Sequence, residues 1–159
     1  MSACVIPGSF DPITLGHMDI IRRACALFDR VTVAVLNNVN KEAAFTLEER
    51  KAMIEAATRE LSVVRVDAFS GALPDYMDRQ GILAVVRGVR GSQDFAMEMQ
   101  LAAVYRAVNP KVDMLLLPAD GALAHISSSA VREVAKFGKD LTGWVPAVNI
   151  DQVARRFRV

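Results

Sequence analysis

Short apolar runs and helix-periodic stretches take turns along the whole chain, and that alternation restricts the fold more than any other feature. Ala3 to Ile6 is an apolar run with β-branched residues, stopped by Pro7-Gly8. From His17 to Phe28 the apolar residues Met18, Ile20, Ile21, Ala24, Cys25, Leu27 and Phe28 follow helical spacing. Val31 to Leu36 is a second strand. Thr46 and Glu49 form a capping box for a helix over about Leu47 to Glu60. Val63 to Val66 is a third strand, and Leu73 to Gln80 a short helix stopped by Gly81. Leu83 to Val86 is a fourth strand, followed by a long helix over Gln93 to Val108. Met114 to Leu117 is the fifth strand. Ser128 to about Phe137 and Pro146 to about Phe157 are the last two helices.

Strands that alternate with helices demand a parallel sheet, because each return to the sheet crosses one of its faces. Right-handed crossovers make it α/β: a doubly wound, five-stranded Rossmann-like parallel sheet, as a single domain over residues 1–159 with C-terminal helices. Ligands of such folds bind at the carboxyl ends of the strands. Chemistry is therefore expected after strands one, two, four and five.

The bulk composition narrows the partners. Lys plus Arg total 19 and Asp plus Glu total 18, a net charge of +1 that draws the chain to neither nucleic acid nor an anionic membrane. Phosphate recognition must be local. Two cysteines, Cys4 and Cys25, sit in apolar segments and read as reduced core thiols. The opening residues MSACVIPG lack the pattern of a signal peptide, and no apolar run approaches the roughly 20 residues a membrane span needs. A cytoplasmic protein is expected.

Four segments at the expected ligand edge carry unusual residues. In VIPGSFDPITLGHMDII, residues 5–21, Gly8 permits a sharp turn, Ser9 offers a hydroxyl, and Gly16-His17 lie at a helix start, whose free N–H groups attract anions. In NNVNKEAAF, Lys41 follows strand two and is a point charge for phosphate, or simply a solvated loop lysine. In VVRGVRGSQDF, Arg87 and Arg90 flank Gly88; they suit a polyanion, or else pair with Asp94 and Glu98. In HISSSAVREV, three serines enter a helix, more than N-capping requires. His125 is read as a bystander. Zinc-ligand spacing, a Walker A sequence, GxGxxG and a nucleophile elbow are all missing from the sequence.

PGSFDPITLGH, FTLEER, VRGVRGSQDF, EMQLA and ISSS, in this order and spacing, closely resemble the bacterial phosphopantetheine adenylyltransferases. TLGH matches the HxGH-type motif of the nucleotidylyltransferase superfamily, with Thr14 in place of the first histidine. The resemblance implies that ATP and 4′-phosphopantetheine give dephospho-coenzyme A and pyrophosphate. The attack on the α-phosphorus would be in line, with no covalent enzyme intermediate. It implies that His17 stabilises the transition state and that Ser9, with the backbone of Phe10, orients the attacking phosphate and touches ATP. Lys41 and Arg87 would hold the phosphopantetheine phosphate, with Leu73 along the pantetheine arm. Gly88, Val89, Arg90 and Glu98 would bind ATP. Leu123, Ala124, His125, Ile126, Ser127, Ser128 and Ser129 would hold its triphosphate tail. Magnesium bound through the phosphates, a homohexamer and feedback by coenzyme A are implied as well.

Some positions depart from the family's usual residues. Ser9 replaces a frequent threonine, Met97 a frequent tyrosine, Leu123 a common aromatic residue, and Tyr105 a frequent asparagine. They touch the nucleotide pocket and its rim. Nicotinamide mononucleotide adenylyltransferases and cytidylyltransferases share the loop type, but usually carry a second histidine in it and a different final motif. Arg132 resembles an arginine of that motif and is read here as a helix-surface residue. A nucleotide-binding regulatory module without catalysis is the remaining alternative. It would have no use for Lys41 and Arg87 directed at a second phosphate.

Overall fold

A computed structural model describes residues 2–37 and 42–157. Five parallel strands form one sheet in the order β3-β2-β1-β4-β5: β1 (Ala3–Gly8), β2 (Arg30–Leu36), β3 (Val64–Phe69), β4 (Ala84–Val89) and β5 (Asp113–Pro118). The helices are α1 (Leu15–Leu27), α2 (Leu47–Ala57), α3 (Leu73–Gln80), α4 (Ser92–Val108), α5 (Ser128–Lys136) and α6 (Ile150–Phe157). The expected α/β class and doubly wound sheet are what the chain adopts. Strand order reverses between β1 and β4, which fixes where the ligand crevice opens.

Alternation along each strand sorts side chains to two faces. Cys4 and Ile6 of β1, Val31, Val33 and Val35 of β2 and Val86 of β4 join the larger core with Met18, Ile21, Ile54, Val131 and Val153 of the helices. Val5, Ala34 and Val85 face the other way, onto Leu73, Tyr76, Met77 and Ile82. That second face is thinly covered. Of the 17 residues of α4 only Glu98 is buried, and Phe95, Met97, Met99, Val104 and Val108 are exposed.

Element boundaries depart from the sequence reading where pairing outruns hydrophobicity. β1 runs two residues past Ile6, because Pro7 and Gly8 stay paired with Ala34 and Val35 of β2. β4 continues through Arg87, Gly88 and Val89, which pair with Leu116, Leu117 and Pro118. These three residues therefore belong to the strand and not to a loop after it. β3 extends to Phe69 as an edge strand with Arg65 and Asp67 on it. α2 stops at Ala57, because the Thr58 hydroxyl donates to Ile54 O and closes the last turn. The last helix begins with a 3₁₀ turn over Ala147–Asn149, set by Pro146. The Thr46–Glu49 capping box and the left-handed Gly81 stop (φ 64°) are as expected.

The β1–β4 pairing ends at Val5↔Val85, while β1 stays on β2 to Gly8 and β4 stays on β5 to Val89. The two central strands thus part at their carboxyl ends. Gly88 sets how closely α1 lies on β4, since a Cβ there would be 2.8 Å from Ile20 Cγ1. Gly88→Ala is expected to lower stability by about 1–3 kcal/mol through overpacking, measured by urea denaturation. An unchanged midpoint would show that α1 has room to move away.

Candidate active site

The first loop of the site joins β1 to α1. Phe10 adopts φ 48°, a left-handed conformation that costs a non-glycine residue on the order of 1 kcal/mol. Its ring is buried beneath Gly8, where a Cβ would be 3.0 Å from Phe10 Cε2. Glycine at position 8 is what admits the ring, which lies 4.9 Å from the imidazole of His17.

His17 is fixed by the start of its own helix. Thr14 is the N-cap of α1: its hydroxyl accepts from the His17 N–H at 3.3 Å, and its own N–H donates to His17 Nδ1 at 3.0 Å. A histidine here fills the place that Glu or Gln takes in an ordinary capping box. Nδ1 is therefore an acceptor, and the neutral ring carries its proton on Nε2. Burial pushes this imidazole down to about 4, and the nearby guanidinium groups of Arg87 and Arg90 push the same way. At neutral pH, His17 is an uncharged hydrogen-bond donor on the cavity wall.

Arg87 reaches from β4 across the parted strands. Its Nη1 donates to Pro7 O at 2.8 Å, while Nε and Nη2 donate to Glu98 Oε1 at 2.9 and 2.6 Å. Glu98 Oε2 is buried with no partner among the described residues. Arg90 pairs with Asp94 at 2.8 Å near the surface, holding that carboxyl below its ordinary range. Both arginines thus have the acidic partners that the plainer reading supposed, and both line the cavity.

The start of α5 supplies the opposite wall. Ser127 caps the helix by accepting from the Ala130 N–H at 3.1 Å. Its carbonyl takes the Val131 N–H, and among the described residues nothing accepts from the Ser128 and Ser129 N–H groups at the helix start. Ser128 Oγ donates to Pro12 O at 2.8 Å, and Ser129 Oγ accepts from Arg132. One serine caps, one ties α5 to the first loop, and the third braces Arg132 within the helix.

These pieces enclose a cavity of about 420 Å³, lined among others by Gly8, Ser9, Phe10, His17, Arg87, Gly88, Arg90, Glu98, Leu123, Ile126, Ser127 and Ser128. A second cavity of about 490 Å³ lies beside it and includes Asp11, Arg50, Ser129, Arg132 and Lys136. Ser9 and Ser128 line both cavities. Other expected site residues lie elsewhere. Val89 and Ala124 line neither cavity, and His125 packs edge-on against Trp144. Leu73 is buried in the second-face core. Lys41 falls outside the described residues.

Three residues were missed or misread in the sequence. Arg132 is half-buried and donates to Asp11 O at 2.6 Å, so the helix-surface reading is corrected: it holds the first loop. Asp11 accepts from the N–H groups of Ala44 and Phe45, both at 2.9 Å, and anchors the segment after β2. Arg50 is buried beneath Ser9. Thr-x-x-His was the sequence signal for the first cap. Nothing local marked Arg50, which reads as one more charge of an amphipathic helix.

Comparison with known proteins assigns the family. The cytidylyltransferase-like family model matches residues 5–134. The phosphopantetheine adenylyltransferase of Finegoldia magna is 44% identical over 151 residues, covering 95% of this chain and 93% of that protein. Its counterparts in Heliobacterium modesticaldum and Thiobacillus denitrificans are 43% and 42% identical, each over 99% of this chain and over 94% and 99% of their own lengths. The chain belongs to the phosphopantetheine adenylyltransferase family. Solved structures agree on the Rossmann-like nucleotidylyltransferase fold. A Plasmodium falciparum nicotinic acid mononucleotide adenylyltransferase is 16% identical with a TM-score of 0.72, over 97% of this chain and 95% of that one. A Vibrio parahaemolyticus nicotinate-nucleotide adenylyltransferase structure gives 14% and 0.71, over 100% and 98%.

This phosphopantetheine adenylyltransferase-family chain thus presents a neutral histidine between a wall bearing Arg87 and Arg90 and the N-terminus of α5. The unfolded chain binds a proton at this residue near 6.5 and the folded one near 4. Its contribution to stability is therefore complete above about pH 6.5 and is lost as pH falls towards 4. In an NMR titration, with assignment aided by a His125→Gln variant, the His17 ring is expected to stay neutral at pH 6. Protonation near 6.5 would contradict the buried, capped geometry.

Proposed function

We propose that the protein transfers AMP from ATP to 4′-phosphopantetheine, releasing pyrophosphate and forming dephospho-coenzyme A. The observation that carries this reading is the meeting of two anion-suited cavities at Ser9 and Ser128, with the neutral His17 donor on the wall of the first. Such a reaction asks little covalent chemistry of the protein. Its main demand is that two polyanions be held in line against their repulsion.

In this reading ATP occupies the first cavity, with Gly88, Arg90 and Glu98 on one side and the α5 start on the other. His17 Nε2–H donates to an α-phosphate oxygen as charge gathers there, and Ser9 orients the incoming phosphate. A neutral donor suits this role, since it follows developing charge without giving up a proton. Arg87 and Lys41 hold the acceptor's phosphate. Met97 shapes the nucleotide rim, whereas Tyr105 packs against the second-face core.

Magnesium belongs to the same proposal and supplies neutralisation of the phosphate charge. Among the described residues no three carboxylate, histidine or cysteine side chains converge. Asp11 is occupied by two backbone N–H groups and Glu98 by Arg87. That donor set fits a hydrated ion carried by the phosphates. Cytoplasmic location is supported by the free thiols of Cys4 and Cys25. Among the described residues no helix is long and apolar enough to cross a membrane. Assembly as a homohexamer is supported in kind by the apolar α4 face that one copy leaves exposed. Coenzyme A, which contains both product halves, is proposed as a feedback ligand of the same crevice.

The purified protein with ATP, magnesium and 4′-phosphopantetheine is expected to release pyrophosphate. His17→Ala is expected to lower kcat by about 100-fold or more, with smaller changes in KM. Release only with nicotinamide mononucleotide would move the assignment to that acceptor. ATP binding without turnover on any acceptor would leave a regulatory module.

A further inference from the structure

The loop that opens the site is gripped from outside. Between residues 7 and 12, four backbone carbonyls accept from side chains of other elements. Pro7 O takes Arg87 and Ser9 O takes Arg50, both at 2.8 Å; Asp11 O takes Arg132 at 2.6 Å and Pro12 O takes Ser128 at 2.8 Å. Arg87 and Ser128 have a place in the reading above; Arg132 and Arg50 have none, and of these two Arg50 is the more deeply buried.

Arg50 lies in the first turns of α2 and is 5% exposed. Its Nη1 donates to Ser9 O and also to Leu36 O, at 3.3 Å. The β1–β2 ladder ends at Gly8↔Val35, so Ser9 and Leu36 are the next pair beyond it. One guanidinium nitrogen therefore takes over where the ladder stops and ties the carboxyl ends of two adjacent strands. Among the described residues no carboxylate pairs with Arg50. Its charge rests on carbonyl dipoles, an arrangement that holds only while those carbonyls stay in place. Ser9 directly precedes Phe10, whose left-handed backbone aims the ring onto His17.

We propose that Arg50 is a positioning residue for adenylyl transfer: by bridging Ser9 O and Leu36 O it fixes the Ser9–Phe10 peptide, and with it the Ser9 hydroxyl and the packing of His17. This inference rests on the adenylyl-transfer reading given above. Arg50 acts through the loop and touches no reacting atom.

The test compares Arg50→Lys and Arg50→Ala with the wild type in pyrophosphate release, measuring kcat and both KM values. Lysine keeps the charge, but its side chain is one bond shorter and does not bring a donor to the Nη1 position between the two carbonyls. A displacement of the loop by about 1 Å is enough to cost about 100-fold. The expected kcat falls by about 10-fold in Arg50→Lys and about 100-fold in Arg50→Ala, while both KM values stay within about threefold. Millimolar methylguanidinium is expected to restore part of the Arg50→Ala rate. Normal kcat in a folded variant would overturn the proposal. So would a raised KM for one substrate at unchanged kcat, which would make Arg50 a ligand. A loss matching only the unfolded fraction, without rescue, would overturn it too. Should Arg50→Ala fail to fold, Arg50→Lys carries the test. A wild type that releases no pyrophosphate would defeat the functional reading by itself. The positioning role is then read from the His17 ring resonances, which Arg50→Lys should shift and which, if unmoved, refute it.

Discussion

The site depends on side chains holding backbone carbonyls. Parting β1 from β4 opens the crevice, and it also strips the carboxyl end of β1 of one neighbouring strand. A buried carbonyl without a donor is costly, so the segment from Pro7 to Pro12 needs partners from elsewhere. Arg87 from β4, Arg50 from α2, and Arg132 and Ser128 from α5 supply them. With its carbonyls held from outside, the loop keeps Phe10 in a conformation that a free chain would leave.

The same donors set the electrostatics. Three guanidinium groups that grip the loop also bring positive charge around two cavities meeting at Ser9 and Ser128. Burial keeps His17 neutral first, and Arg87, one of the three, adds to it together with Arg90, since a second proton on the ring would be repelled. A cationic crevice with an uncharged donor at its centre attracts phosphates without offering them an acid. Arg87 and Glu98 show the balance within one pair: the acid holds the arginine in place, and its second oxygen remains buried without a partner among the described residues.

Much of the fold was legible because periodicity and caps are local signals. The five strands, the Thr46–Glu49 box and the span of α3 could be read from residues within a few positions of one another. The errors lie where pairing with a distant strand decides. Arg87, Gly88 and Val89 look like a loop in the sequence, yet β5 holds them in β4. Gly88, expected at the ATP site, lines the cavity and also admits Ile20 of α1, which nothing in the sequence marked. Of the site, His17, Ser9, Arg87 and the serine run were visible as unusual residues at helix starts and strand ends. Arg50 and Arg132 were not, because their partners are carbonyls 41 and 121 residues away in the chain. A sequence names the donors of such bonds, but only the fold brings the acceptors to them.

If the loop is built in its working form, substrates should find it already there. Crystal structures of the free protein and of its complex with a non-hydrolysable ATP analogue and phosphopantetheine measure this directly. The backbone of residues 7–12 is expected to superpose to within about 0.5 Å, with the Arg50, Arg132 and Ser128 bonds intact in both. A loop displaced by more than about 2 Å on binding, with those carbonyls released, would contradict a preformed cradle.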